Sequence, residues 1–268
     1  MQPTAHIALE HLKFATSTDT VPAMSRGRRP GRAMRECTAW RNDQTCRVCH
    51  ERPRALLDGA TSALLAADDM KVVNVRINRG QSVFSQAETA EYLWVLRTGA
   101  VKLLGTAWDG KPRICRVLKP GEILGIEGLV SGGYLHTAIA AAETRACRYP
   151  LTEIRKLCLA HADLQWSLME RAHAELAATQ QWLVDATNAS SPARARMARL
   201  LLRLRDGDST LVHKFTREDL GLMLGITIET ASRIIAAFLR ERLLTRDEGV
   251  GRYYQADVDG LSVVAGGC

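Results

Sequence analysis

No stretch of the 268 residues brings together the ~18–20 consecutive apolar side chains of a membrane-spanning helix, which argues against an integral membrane protein. The first thirty residues also lack the continuous apolar core of a secretory signal, so the chain is expected to be cytoplasmic. An even set of cysteines is missing too. Seven are present, Cys37, Cys46, Cys49, Cys115, Cys147, Cys158 and Cys268, and an odd number in a chain without an export signal argues against a disulfide framework. With 46 % hydrophobic and 24 % charged residues the composition is that of a globular protein, which sets aside disorder and collagen.

What is present is unevenly placed. Lys and Arg number 36 against 29 Asp and Glu, and the excess sits in two segments. One is residues 1–50, around Arg26, Arg28, Arg29, Arg32 and Arg35; the other is residues 190–246. A local basic segment beside a near-neutral body is the electrostatic footprint of a nucleic-acid-binding protein. Residues 1–36, with their Arg, Pro and Gly, show no helical or strand period and read as a flexible basic tail.

From about Met70 the texture becomes that of strands. Val73, Val75 and Ile77 alternate with polar residues, and further short apolar runs follow at Tyr92–Leu96 and Ile114–Leu118, punctuated by Gly80, Gly99 and Pro120-Gly121. Asp109-Gly110 is read as a hairpin turn with both central residues at positive φ. Short strands with turn residues every ten or so positions predict an antiparallel β-roll ending near Pro150. The period then becomes helical. Leu168, Ala172, Leu176, Thr179, Leu183 and Ala186 recur at spacings of four and three, flanked by Trp166 and Trp182, which predicts a long helix with a dimerisation seam. Ser190-Ser191-Pro192 ends it.

Residues 216–235 read TREDLGLMLGITIETASRII. Thr216 and Asp219 have the spacing of a capping box, Gly225 suits the tight turn between two crossing helices, and Thr227 caps the second helix. That pattern predicts a helix-turn-helix whose second helix buries Ala231, Ile234, Ile235 and Phe238 and exposes Ile228, Glu229, Ser232 and Arg233. Arg233 can bind guanine O6 and N7, Glu229 can accept from cytosine N4, and Ser232 and Ile228 can meet a thymine edge or methyl. A simple surface ion pair between Glu229 and Arg233 is the competing reading. Thr245–Gln255 reads as a wing whose Arg246 and Arg252 reach phosphates.

The stretches RINRGQSVF, YLWVLRTGAVKLL, LKPGEILGIEGLVSGG and LGITIETASRII, in that order over about 46–258, resemble the CRP/FNR superfamily of transcription regulators, FNR-like branch. The resemblance implies an α+β chain: a flexible tail (1–36), a sensor domain made of a cysteine-bearing segment plus an antiparallel, cyclic-nucleotide-binding-like β-roll (37–160), a long dimerisation helix (161–190) and a winged helix-turn-helix (191–268). It further implies a non-enzymatic homodimer that binds a palindromic, TTGAT-type operator in double-stranded DNA through Glu229, Ser232 and Arg233, with RNA polymerase as a further partner and no membrane. Cyclic-nucleotide-binding members carry an Arg-Ser pair after the PGE turn. Here Leu135-His136-Thr137 stands there and no Arg lies between Arg116 and Arg145, so a cyclic phosphate is rejected.

The FNR branch holds a [4Fe–4S] cluster on three N-terminal cysteines and one in the roll, thiolates being the ligands such clusters require. Cys46, Cys49 and Cys147 match three of these positions. The third N-terminal cysteine is missing, with Arg54, Ala55, Leu56 and Leu57 in its place, and Cys37 is assigned as the fourth ligand instead. The resemblance thus implies a regulator responding to oxygen or redox state, with the cluster favouring the DNA-binding dimer. The alternative is a cluster-free regulator of the same family controlled by haem, nitric oxide or another small effector; zinc on the same thiolates is a third. Cys46-Arg-Val-Cys49-His50 also has the form of a c-type haem attachment motif, and His136 of a haem ligand, but attachment needs export and a lone strand His is ordinarily structural. A thiol oxidoreductase would place its C-x-x-C at a helix start beside a βαβ unit, which this sequence lacks.

Overall fold

The computed structural model describes residues 35–36, 72–187, 191–205, 207–246 and 251–266. The rest of the expected tail, and the cysteine-bearing segment of the sensor domain with Cys37, Cys46, Cys49 and His50, lie outside them; within 1–36 only β1 (Arg35–Glu36) is described, and it pairs antiparallel with Val75 and Arg76 of the next strand.

The roll then follows as β2 (Val73–Ile77), β3 (Ser82–Phe84), β4 (Tyr92–Thr98), β5 (Val101–Thr106), β6 (Pro112–Leu118), β7 (Ile123–Leu124), α1 (Gly128–Ser131), β8 (Thr137–Ala140) and β9 (Thr144–Pro150). The strands form two antiparallel sheets, ordered β1-β2-β9-β4-β7 and β3-β8-β5-β6. Their side chains meet in one core that includes Ile77, Leu96, Val101, Leu118, Ala138 and Tyr149. Phe84 and Tyr134 stack within it at 3.6 Å between ring centroids. Strand β4 does not alternate: Leu93, Trp94, Val95 and Leu96 are all buried, because a strand covered on both faces is apolar on both.

The β5–β6 hairpin differs from expectation in its turn. Gly110 has φ +76°, but Asp109 is not at positive φ. Ala107 N–H bonds to Lys111 O at 2.9 Å, and Asp109 accepts from Lys111 N–H at 3.1 Å. The turn is therefore one residue wider than a two-residue type I′ loop and needs left-handed geometry only at its glycine.

After α2 (Leu151–Ala160) comes α3 (Ala162–Thr187), the long helix. The seam expected through Leu168, Ala172, Leu176, Thr179 and Leu183 is divided. Leu164 and Leu168 are buried in the roll's own core, and Trp182 packs against the C-terminal core. The exposed apolar stripe is instead Trp166, Met169, Leu176 and Leu183, each more than half exposed. Periodicity marks the apolar positions but does not say which of two neighbouring faces the chain's own roll occupies.

The C-terminal part comprises α4 (Ala193–Arg203), β10 (Leu211–His213), α5 (Arg217–Leu224), α6 (Ile228–Arg240), β11 (Leu244–Arg246), β12 (Tyr253–Ala256) and α7 (Val258–Val264). Its three strands form one antiparallel sheet ordered β10-β12-β11. Met197, Leu201, Leu220, Ile235, Phe238 and Leu261 build its core, which also takes in Ala100, Ile114, Val117 and Ala141 of the roll. No single helix among the described residues is long and apolar enough to cross a membrane.

Candidate nucleic-acid interface

Two capped helices set this surface. At the start of α5 the Thr216 hydroxyl accepts from Asp219 N–H at 2.9 Å, while the Asp219 carboxylate accepts from Thr216 N–H at 3.3 Å, completing the capping box. The helix ends at Gly225, at φ +64° and ψ +38°, where a side chain would be strained. Gly221 is needed for another reason: a Cβ there would come within 2.8 Å of Ile226 O, in the turn itself. Thr227 then caps α6, accepting from Thr230 N–H at 3.2 Å. The two helix axes are bent by 109°, within the range of a helix-turn-helix.

Helix α6 turns Ala231, Ile235 and Phe238 into the core, with Ile234 partly buried beside them. Of the four residues singled out from sequence, Ile228, Glu229 and Arg233 are exposed and Ser232 is half-buried. Glu229 and Arg233 form no ion pair. The Glu229 carboxylate is held below the usual range by its own backbone N–H and the Thr227 hydroxyl, with Arg233 adding only a weaker Coulombic pull. Among the described residues Arg233 has no side-chain partner, so it presents its fork beside an ionised carboxylate on the helix. On the wing, Arg246 is exposed, whereas Arg252 lies 3.4 Å from Glu143 of the roll.

The surface is fastened to the roll by contacts that no sequence pattern signals. Lys102 of β5 pairs with the buried Asp219, the same carboxylate that caps α5. Lys119 donates to the carbonyls of Arg203 and Arg205, at 3.0 and 3.2 Å, where α4 ends. Farther into the roll, Arg116 lies between Glu122, at 2.9 Å, and Glu175 of α3, at 3.3 Å. Burial pushes the Glu175 carboxyl up to about 7; Arg116 opposes the rise and Glu122 adds to it. Arg116 stands near the PGE turn and is already shared by two carboxylates, which leaves it poorly placed to neutralise a cyclic phosphate.

Of the cysteines, Cys147 is buried on β9. An Arg97 guanidinium N–H reaches its sulfur at 3.0 Å, and the thiol lies 3.3 Å from Asn74 Oδ1. The Arg97 contact suits a thiolate, the form that ligates metal, whereas the bond to Asn74 Oδ1 belongs to the protonated thiol and would be given up on ligation. Its expected co-ligands Cys37, Cys46 and Cys49 lie outside the described residues, and among the described residues no three His, Cys, Asp or Glu side chains gather as a metal site. Burial pushes the thiols of Cys115 and Cys158 up, consistent with small apolar filler.

Residues 74–161 match the cyclic nucleotide-binding domain family, and residues 195–263 match the Crp-like helix-turn-helix domain family. The transcriptional regulatory protein btr of Bordetella pertussis is 27 % identical over 206 residues, covering 74 % of this chain and 84 % of that one. The transcriptional activator protein FnrA of Stutzerimonas stutzeri is 27 % identical over 210 residues, covering 75 % and 84 %. Among solved structures, FixK2 from Bradyrhizobium japonicum has the same fold, with a TM-score of 0.62 at 20 % identity over 72 % of this chain and 96 % of that one.

Proposed function

From its membership of the CRP/FNR superfamily of DNA-binding transcription regulators, we propose that this chain is a redox-responsive regulator that binds a palindromic operator as a homodimer. The observation that carries the DNA-reading part is Arg233, without a side-chain partner among the described residues, beside ionised Glu229 on a helix capped by Thr227 and set by a glycine turn against the capped α5. With the N-terminal half of α6 in the major groove, Arg233 reads guanine, Glu229 accepts from cytosine, and Ser232 and Ile228 meet the thymine edge. A symmetric dimer sets two such helices one helical turn apart, ~34 Å, on a TTGAT-type inverted repeat. RNA polymerase is the partner such a regulator would recruit.

The dimer contact is assigned to the stripe Trp166, Met169, Leu176 and Leu183. Beside it lies an almost wholly apolar cleft of ≈ 530 Å³ lined by Ile126, Leu129, Val130, Leu159 and Met169, with Val130 and Leu159 nearly fully exposed. A partner helix laid on the stripe would cover both. Helix α3 begins in the roll's core at Leu164 and Leu168 and meets the C-terminal core at Trp182, so a shift of the roll against α3 is transmitted to the DNA-binding part by packed side chains.

Cys37, Cys46, Cys49 and Cys147 would hold a [4Fe–4S] cluster, which supplies oxygen-sensitive redox chemistry when bound. The Arg97 guanidinium donates to the Cys147 sulfur and the thiol donates to Asn74 Oδ1, and the two contacts orient it. Protein prepared without air is expected to contain about four irons with matching sulfide per chain and a broad visible absorption that bleaches in air. Cys147→Ser should lower the iron content. Iron-free protein, or zinc alone, would contradict the ligand set and leave the cluster-free regulator as the reading.

A further inference from the structure

The exposed face of α6 does not end at Arg233. Glu229, Arg233, Ala236 and Arg240 follow one another at spacings of four, three and four, and all four are exposed. Arg240 thus stands on the same face as Arg233, two turns or ~10.5 Å farther along the axis. There the helix opens on a cleft of ≈ 580 Å³ lined by Leu239, Arg240, Arg242, Leu244, Thr245 and Arg246. The lining contains three arginines and no carboxylate. None of the three makes an ion pair or hydrogen bond through its side chain to a described residue. The acid between them, Glu241, is turned away onto Arg194, with one contact at 3.0 Å and a second, shorter one.

Arg242 adds an independent observation. It has φ +60° immediately after the cap residue of α6, a left-handed position where glycine is the low-energy choice. It is exposed, so core packing does not account for an arginine there.

We propose that Arg240, Arg242 and Arg246 form a clamp for DNA backbone phosphates at the edge of the groove that α6 enters, an anchor additional to the base-reading residues. The proposal rests on the DNA-reading assignment above. The major groove is about 12 Å wide, so a helix with Arg233 over the base edges brings a residue ~10.5 Å farther along to the sugar–phosphate wall. Ala236 between them leaves room for close approach. Guanidinium forks match phosphate oxygens, and such pairs add affinity and salt dependence without sequence preference.

The test uses the full chain and inverted-repeat TTGAT duplexes in which single phosphates are neutralised in turn as methylphosphonates. Wild-type protein should lose affinity at particular phosphates, and Arg240→Gln should be insensitive at one or more of those same positions. The variant's log affinity against log salt should flatten by about 0.9 for each phosphate it no longer neutralises, with base discrimination unchanged. Arg242→Gly separates binding from folding: it should melt at or above the wild-type temperature and bind DNA less tightly. Wild-type salt slope and wild-type response to every methylphosphonate in both variants would overturn the clamp. Failure of the wild-type chain to bind any of the duplexes would overturn the DNA-reading assignment, and the clamp with it.

Discussion

Replacing Leu176 and Leu183 together by aspartate is expected to yield a folded monomer that binds the operator at least a hundredfold more weakly. Both leucines are more than half exposed, so neither is a core residue of its own chain. They lie on one helical face with Trp166 and Met169, at spacings of three, seven and seven residues that place them in a seam against a symmetry-related helix. Burying a leucine is worth about 2 kcal/mol, and a symmetric dimer would bury four of them at these two positions. Each is already nearly half covered in the single chain, so the loss is about 4 kcal/mol before the repulsion of four carboxylates in an apolar seam. Separated chains must then bind each half-site independently, forfeiting the ~10²–10⁴-fold gain that linkage provides. Sedimentation equilibrium and operator titration read the two effects, with helix content by circular dichroism unchanged. A double variant that remains dimeric would show that the seam lies elsewhere.

Asp219→Ala is expected to destabilise the fold by about 4 kcal/mol. Asp219 is only 4 % exposed, and its carboxylate has two structural tasks. It accepts from Thr216 N–H to complete the cap of α5, and it pairs with Lys102 of the roll. Loss of a helix cap costs about 1 kcal/mol, and removing one member of a buried ion pair about 3–5 kcal/mol, because the other charge is left without a partner. Lys102→Met should be somewhat milder, at roughly 3 kcal/mol, since the Asp219 carboxylate loses its cation but keeps the cap and the methionine fills the space of the lysine stem. The midpoint of urea unfolding measures both. An Asp219→Ala variant within 1 kcal/mol of wild type would mean that the ion pair contributes nothing to holding the helix-turn-helix on the roll.

The order of roll, long helix and helix-turn-helix was legible because each leaves a local mark. Apolar runs of strand length end at glycines, Thr216 and Asp219 have capping-box spacing, and Gly225 sits between two apolar periods. The division of α3 was not legible, since Leu168 and Leu176 satisfy the same period while one faces the chain's own roll and the other is exposed. Nor were Lys102–Asp219 and Arg116–Glu175, which join residues far apart in the chain and carry no spacing signal. The width of the Asp109-Gly110 turn depended on which backbone pair closed the loop, a matter of strand register rather than residue type. Arg240 could have been found from sequence, being seven residues after Arg233 on the same helical face. Arg97 beside Cys147 could not, because a bulge at Leu96–Thr98 interrupts the register with β9.

The central claim is that α6 reads a palindrome through Glu229, Ser232 and Arg233. It is tested most directly by selecting bound duplexes from a randomised library, with the air-free full-length chain and with Arg233→Ala. The wild-type chain should enrich an inverted repeat of TTGAT-type half-sites about one helical turn apart. The variant should lose preference at the guanine in each half, a discrimination of ~1–3 kcal/mol, while preference at the other positions persists. Enrichment of no repeat, or the same preference at guanine with and without Arg233, would contradict it.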